Sequence, residues 1–84
     1  MNLYLLTQDS TTDYDTYDSV VVAARTSARA KLILPNPSLK WEEAETKPHT
    51  WPWASAPDKV EVKYIGKASP VLNAGVVLAS FNAG

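Results

Sequence analysis

The stretch from Tyr14 to Ala24 constrains the fold of this chain more than any other segment. Its first part, Tyr14–Ser19, combines aromatic, acidic and hydroxyl residues, and its second part, Val20–Ala24, is an uninterrupted apolar run. Short polar side chains favour turns because they bond to their own backbone, whereas β-branched residues favour strands. The segment is therefore predicted to be a turn that leads into a strand of about residues 17–24.

Three further segments have the composition of strands. Residues 2–7 contain the apolar run Leu3–Leu6 and are predicted to form a central strand that is buried on both faces. The polar residues 8–16 then form a hairpin-type loop before the second strand. Residues 60–64 alternate apolar with charged side chains, which is typical of a strand with one face in water. The apolar run Gly75–Phe81 is predicted to be the last strand.

One short helix is predicted between the second and third strands. Thr26 and Ser27 carry hydroxyls that can accept the first free amides of a helix, and residues 28–33 tolerate helical geometry. Pro35 has no amide hydrogen and disfavours helical geometry in the residue before it. The helix is therefore limited to about two turns.

Residues 35–57 are predicted to form a long, semi-rigid loop. They contain five of the six prolines and all three tryptophans. Inside this loop, Lys40–Thr46 has two alternatives, an irregular path or a short helical turn that Ser38 caps and Pro48 ends. A structureless loop of this length is unusual in a compact domain and is often functional.

The order of these elements predicts the fold class. Two strands, one helix, a long loop and two more strands indicate an α+β fold, a small and mostly antiparallel four-stranded sheet with the helix packed on one face. The strand order is left open. With 84 residues, the chain has the size of one small domain that spans residues 1–84.

Composition excludes several classes of function. A net charge of −1 supplies no basic surface for extended nucleic acid. The absence of cysteine removes disulfides, thiolate chemistry and cysteine-based zinc sites. No apolar run approaches the roughly 18 residues of a membrane span, and the start of the chain lacks the pattern of a signal peptide. We therefore expect a cytoplasmic protein with no membrane partner.

Metal sites and catalytic signatures are not expected either. Asp13, Asp15 and Asp18 suggest a calcium loop, but counting from Asp13 puts Asp18 where a glycine belongs and Ala24 where a glutamate belongs. His49 is the only imidazole, which is too few for a zinc site or a Ser-His-Asp triad. Three glycines cannot form a phosphate-binding loop. We expect no cofactor and no enzyme, with acid-base chemistry by carboxylates as the remaining enzymatic alternative.

The candidate binding residues are aromatic or basic. Rigid aromatic surfaces bind both protein partners and flat heterocycles, and arginines near a helix start can bind phosphate. The competing structural interpretation is that the tryptophans complete the core and that a hydroxyl caps the helix. The residues in question are Tyr14, Tyr17, Arg25, Arg29, Trp41, Trp51 and Trp53.

Several segments together carry a resemblance to known proteins. They are the Leu3–Leu6 strand, the Tyr14–Ala24 turn and strand, a helix that ends at a proline, Tyr64–Gly66, and the closing segment Gly75–Gly84. This pattern resembles small accessory proteins of tailed bacteriophages, and it covers both ends of the chain but not residues 35–57. The resemblance implies a setting inside an infected bacterium and assigns no residue a role.

Two hypotheses of function follow. In the first, the chain inhibits a host system, in particular a defence system, by stoichiometric binding. It either blocks a host protein or sequesters a nucleotide signal, with a base stacked on Tyr14, Tyr17 or a tryptophan and phosphate bound by Arg25 and Arg29. In the second, it is a structural or assembly protein that forms a homo-oligomer through a sheet edge or the aromatic loop.

Overall fold

The computed structural model describes residues 1–11 and 14–82. Thr12, Asp13, Ala83 and Gly84 lie outside this range. The predicted loop 8–16 is therefore described only in part, and Asp13, where the calcium-loop count starts, lies outside the described residues.

The described chain contains four strands, two short helices and one 3-10 turn. All strand pairs are antiparallel and the strands form one sheet in the order β3-β1-β2-β4, so the predicted α+β fold is confirmed. Each observed strand overlaps its predicted range, and the third continues beyond the predicted end. In chain order the elements are β1 (Asn2–Thr7), β2 (Thr16–Ala24), α1 (Ser27–Ala30), α2 (Glu43–Thr46), the 3-10 turn Pro57–Lys59, β3 (Glu61–Lys67) and β4 (Gly75–Asn82).

β1 is a central strand, as its continuous apolar run predicted. It pairs with β2 on one side and with β3 on the other. Because side chains alternate along a strand, Tyr4 and Leu6 lie on one face of the sheet, whereas Leu3 and Leu5 lie on the other. Tyr4 and Leu6 are buried, and Leu3 and Leu5 are half-buried, so the predicted burial of this strand on both faces is complete on one face only.

The hydrophobic core lies on one face of the sheet. The strands supply Tyr4 and Leu6 together with alternate residues of β2, and α1 supplies Ala30. The long loop completes the core with Trp51 and Trp53. Residues 35–57 therefore form a packed layer over this face, and we call it the covered face.

α1 begins where the hydroxyl pattern predicted. The Thr26 hydroxyl oxygen accepts a hydrogen bond from the Arg29 amide at 3.2 Å. The helix ends at Ala30, one turn rather than the predicted two, because the following amides of Leu32 and Ile33 donate to carbonyls three residues back. This tighter winding is common where a helix ends.

α2 is the helical alternative for the segment Lys40–Thr46. The prediction that Ser38 caps it is wrong, since the N-cap residue of α2 is Glu42, and its side chain makes no capping hydrogen bond. Instead the Ser38 hydroxyl and amide both donate to the Asn36 side-chain oxygen at 2.9 Å, a local turn that competes with capping. In residues 1–11 and 14–82, no helix has the length and apolar character required to cross a bilayer.

Candidate functional site

A cleft of about 580 Å³ separates the β1–β2 loop from the loop 35–57. Hydroxyl groups and aromatic rings line much of it, and Tyr14 is 72% exposed. Apart from tyrosine, Asp15 and His49 are the only titratable side chains among the described residues of the lining. The lining includes Thr11, Tyr14, Asp15, His49, Trp51 and Trp53.

The backbone at Asp15 shapes one wall of this cleft. Asp15 has a φ of 62°, which is the only positive φ of a non-glycine residue in the described chain. Aspartate tolerates this left-handed conformation better than most residues because its short side chain can hydrogen-bond locally. The Asp15 amide donates to the Asn82 carbonyl, so the turn is fixed to the end of β4. The neighbouring Tyr14 side chain is exposed.

The tryptophans hold the long loop on the sheet. Trp51 and Trp53 are buried, with 8% and 1% exposure. The Trp51 indole NH donates to the Ala54 carbonyl at 2.7 Å, and that of Trp41 donates to the Leu32 carbonyl at 3.0 Å. The Trp53 indole NH is buried without a hydrogen-bond partner in the described structure. These positions agree with the structural interpretation, in which the rings complete the core.

Tyr17 does not join Tyr14 at the cleft. Its ring packs edge-on against Phe81 with centroids 4.8 Å apart, and its hydroxyl accepts a hydrogen bond from the Asn36 side-chain amide at 3.5 Å. The ring is half-buried against the core. Tyr17 therefore serves packing between β2, β4 and the long loop.

Arg25 and Arg29 lie far from Tyr14. Both are exposed and follow the end of β2, whereas Tyr14 precedes its start. The nine residues of β2 span about 30 Å at the rise of an extended strand. No arginine or lysine is among the described residues that line the cleft. One mononucleotide therefore cannot contact Tyr14 and both arginines.

Acidic and imidazole side chains do not cluster in the described chain. Across residues 1–11 and 14–82, no group of three histidine, aspartate or glutamate side chains is placed to hold a metal ion. The His49 imidazole is exposed, and it lies at the cleft rather than at a carboxylate cluster.

The second candidate is the face of the sheet opposite the core. Here Leu5 pairs with Val21, which pairs with Leu78, so one apolar row crosses three strands. Leu78 is 68% exposed, and Leu5 and Val21 are half-buried. None of these residues belongs to the core cluster, which contains the helix and loop residues that pack on the sheet. We call the surface formed by Leu3, Leu5, Val21 and Leu78 the open face.

The two edges of the sheet differ in charge. β3 forms one edge and carries Glu61, Lys63 and Lys67, the charged side chains that normally protect an edge from pairing. β4 forms the other edge, and its sequence GVVLASFN has no charge and no proline. Most of its residues are exposed. The β4 edge therefore lacks the charged and proline residues that commonly protect an edge.

An apolar groove of about 460 Å³ runs beside the start of β4. Its lining comes from β4 and from the segment that follows α1, and includes Ile33, Leu34, Leu39, Gly75 and Val76. The groove and the neighbouring edge of β4 together form one continuous apolar surface.

The chain matches no family model, no curated protein and no solved structure. Functional roles for the cleft, the open face and the β4 edge therefore depend on geometry. Sequence reasoning did not identify the open face, although the consecutive apolar residues of β1 and β2 already indicated that both faces of the sheet are apolar.

Proposed function

We propose that this chain is a non-enzymatic protein that acts by stoichiometric binding of another protein through the open face. The apolar row of Leu5, Val21 and Leu78 carries this proposal, since it lies outside the core cluster. Single exposed apolar residues are normal on a surface, whereas a contiguous apolar patch marks an interaction site.

The resemblance to phage accessory proteins supplies the setting. In this setting the chain is made in the cytoplasm of an infected bacterium and inhibits a host system, in particular a defence system, by occupying a host protein. A typical stable interface covers about 800 Å² on each partner. One face of a four-stranded sheet is a surface of suitable shape for this mode of inhibition.

The polar surroundings of the open face support a protein partner. The next row of the sheet consists of Glu61, Thr7, Ser19 and Ser80, which are paired across the four strands. An apolar centre with a polar rim is the usual arrangement in protein interfaces. The expected partner surface is apolar at its centre and polar where it meets this row.

Sequestration of a nucleotide has less support. The cleft has an exposed aromatic ring in Tyr14, but no cationic lysine or arginine is among its described lining residues. Phosphate groups bound there would have to rely on neutral donors and His49. Blocking of a host protein therefore remains the favoured form of inhibition.

The test starts with the tagged full-length chain on a bead in a lysate of the bacterial host. A captured protein is identified by mass spectrometry, purified and titrated against the wild-type chain and the double variant Leu5→Thr/Val21→Thr. Threonine keeps a high strand propensity but removes apolar surface. We expect binding to weaken at least about tenfold, because two apolar contacts of an interface centre are lost.

Tyr14→Ala is the matched control, since it alters the cleft and leaves the open face intact. Circular dichroism confirms that all variants are folded. Equal affinity of the wild type and the double variant would place the interface elsewhere and contradict the proposal. Loss of a heat-released nucleotide in Tyr14→Ala, detected by mass spectrometry, would support sequestration instead.

A further inference from the structure

The alternation of side chains along β4 is interrupted once. Val22 pairs with Val76 and Val21 pairs with Leu78, so Val77 is an extra residue between them. Such a bulge shifts the following side chains to the opposite face. Residues on the two sides of the bulge therefore share a face when an odd number of positions separates them. Val76 lies on the covered side of β4 for this reason.

The covered side of β4 can be assigned from its partners in β2. Ala79 pairs with Val20 of the core, and Phe81 pairs with Tyr17, which packs against the core. Together with Val76, they define the covered side of the strand. Leu78 and Ser80 lie on the open side.

This pattern is self-complementary. In an antiparallel pair of two β4 strands centred on Ala79, Ala79 lies opposite Ala79 of the second copy and Leu78 lies opposite Ser80. With Val77 bulged, Val76 then lies opposite Phe81. Every opposed pair has both members on the same side of the sheet, as an antiparallel ladder requires.

The groove beside β4 suits the side chain that this register brings to it. Phe81 of the second copy lies opposite Val76, which lines the groove with Ile33 and Leu39. Phe81 is 46% exposed and Val76 is 39% exposed, so both have apolar surface to bury. An added strand whose side chain enters an adjacent pocket is a common recognition mode.

Charge favours β4 over β3 as the edge at which two copies pair. β4 is uncharged, so two β4 strands meet without repulsion between like charges, whereas β3 would oppose charged residues. We infer that β4 is the pairing edge for a second copy of this chain, which joins two sheets into one eight-stranded sheet.

The symmetry of this dimer has a structural consequence. A two-fold axis perpendicular to the sheet places both helical layers on one side and both open faces on the other. The two open faces then form one continuous surface. Self-pairing requires no host protein, so it goes beyond the proposed function and is tested with the purified chain alone.

The first experiment measures mass as a function of concentration. An edge of eight residues with one groove is a small interface, and we expect a dissociation constant on the order of 10 μM. Light scattering of the full chain should therefore rise from 9.2 kDa toward twice this value as the concentration passes this range. A mass that remains at 9.2 kDa at a concentration about a hundredfold higher overturns the inference.

The second experiment tests the register with introduced cysteines, because the chain has none of its own. Ala79→Cys should form a disulfide-linked dimer on mild oxidation. Leu78→Cys and Ser80→Cys should cross-link strongly only when the two variants are mixed. Opposed pairs alternate between two backbone spacings, so at least one of these designs has the closer spacing that a disulfide fits.

Lys63→Cys on the β3 edge is the matched control. Leu78 and Ser80 are exposed, so the mixed design remains informative if Ala79→Cys impairs folding. Cross-linking of the β4 cysteines at least tenfold faster than of Lys63→Cys supports the inference. Equal rates, or faster linking through position 63, would exclude pairing at the β4 edge.

Discussion

The two faces of one sheet differ sharply although the same strands form both. On the covered face, Leu6 is fully buried beneath α1 and the tryptophan loop. One residue earlier in β1, Leu5 lies on the open face and is only half-buried. A strand with apolar residues on both faces can therefore be packed against a helix or loop on one face and exposed on the other.

The long loop explains which face is covered. Residues 35–57 contain large rings that fill the space between the sheet and the short helices. This segment forms one layer, which covers one face of the sheet. Small domains need such large apolar side chains because their cores are small. The open face is left to associate with another protein or a second copy.

The largest expected effect is the loss of Trp53 from the covered face. Trp53→Ala removes a fully buried ring and should lower the free energy of unfolding by about 3–5 kcal/mol. Small domains are stable by roughly 5–10 kcal/mol, so this loss is a large share of the total stability. Urea denaturation followed by circular dichroism measures the change, and a loss under about 1 kcal/mol would contradict the core position.

Leu6→Ala and Leu5→Ala compare the two faces with a matched pair on β1. Leu6→Ala should cost about 2–5 kcal/mol, because a fully buried leucine leaves a cavity. Leu5→Ala should cost roughly 1 kcal/mol or less, because its side chain is already partly in water. Both values come from the same urea titrations, and equal losses would mean that the open face is covered.

Thr26→Ala probes the helix that covers the sheet. Its hydroxyl oxygen accepts the Arg29 amide hydrogen bond, so its loss should cost about 1 kcal/mol. Thr26→Ser keeps the oxygen and is the control, with an expected loss well below that of alanine. If both variants were equally destabilised, the capping hydrogen bond would not be the cause.

The smallest expected effect on stability is that of Leu78→Lys. Leu78 is 68% exposed, so the free energy of unfolding should change by no more than about 0.5 kcal/mol. The charge should nevertheless weaken association through the open face or the β4 edge. Urea denaturation and light scattering separate the two effects, and a large loss of stability in the monomer would show that Leu78 is part of a core.

Local chemistry predicted much of this fold. The run Leu3–Leu6 indicated the central strand because no polar residue interrupts it, and Thr26 indicated the start of α1 because it can cap. Ser38 was assigned a cap that it does not form, since the nearer Asn36 side chain receives its hydrogen bonds. Local competition of this kind depends on geometry that residue types alone do not define.

The candidate site was less accessible to sequence reasoning. Arg25 and Tyr14 appear close along the chain, but an extended strand separates them by tens of ångströms. Conversely, Leu5, Val21 and Leu78 are distant in sequence and become neighbours only through strand pairing. The open face, which supports the proposed function, therefore depends on the register in which the strands pair.

The sequence by itself determined the α+β class, the four strands, the capped helix and the absence of thiol chemistry, because these depend on residue type and short-range periodicity. The Tyr14–Ala24 segment did form a turn that leads into a strand. Only the tertiary structure decided the strand order, the burial of Trp51 and Trp53, and which apolar face stays open. Those features depend on how segments that are distant in sequence pack together. A long loop with apolar rings could cover either face of a sheet, and the strand order and connections decide which face it covers.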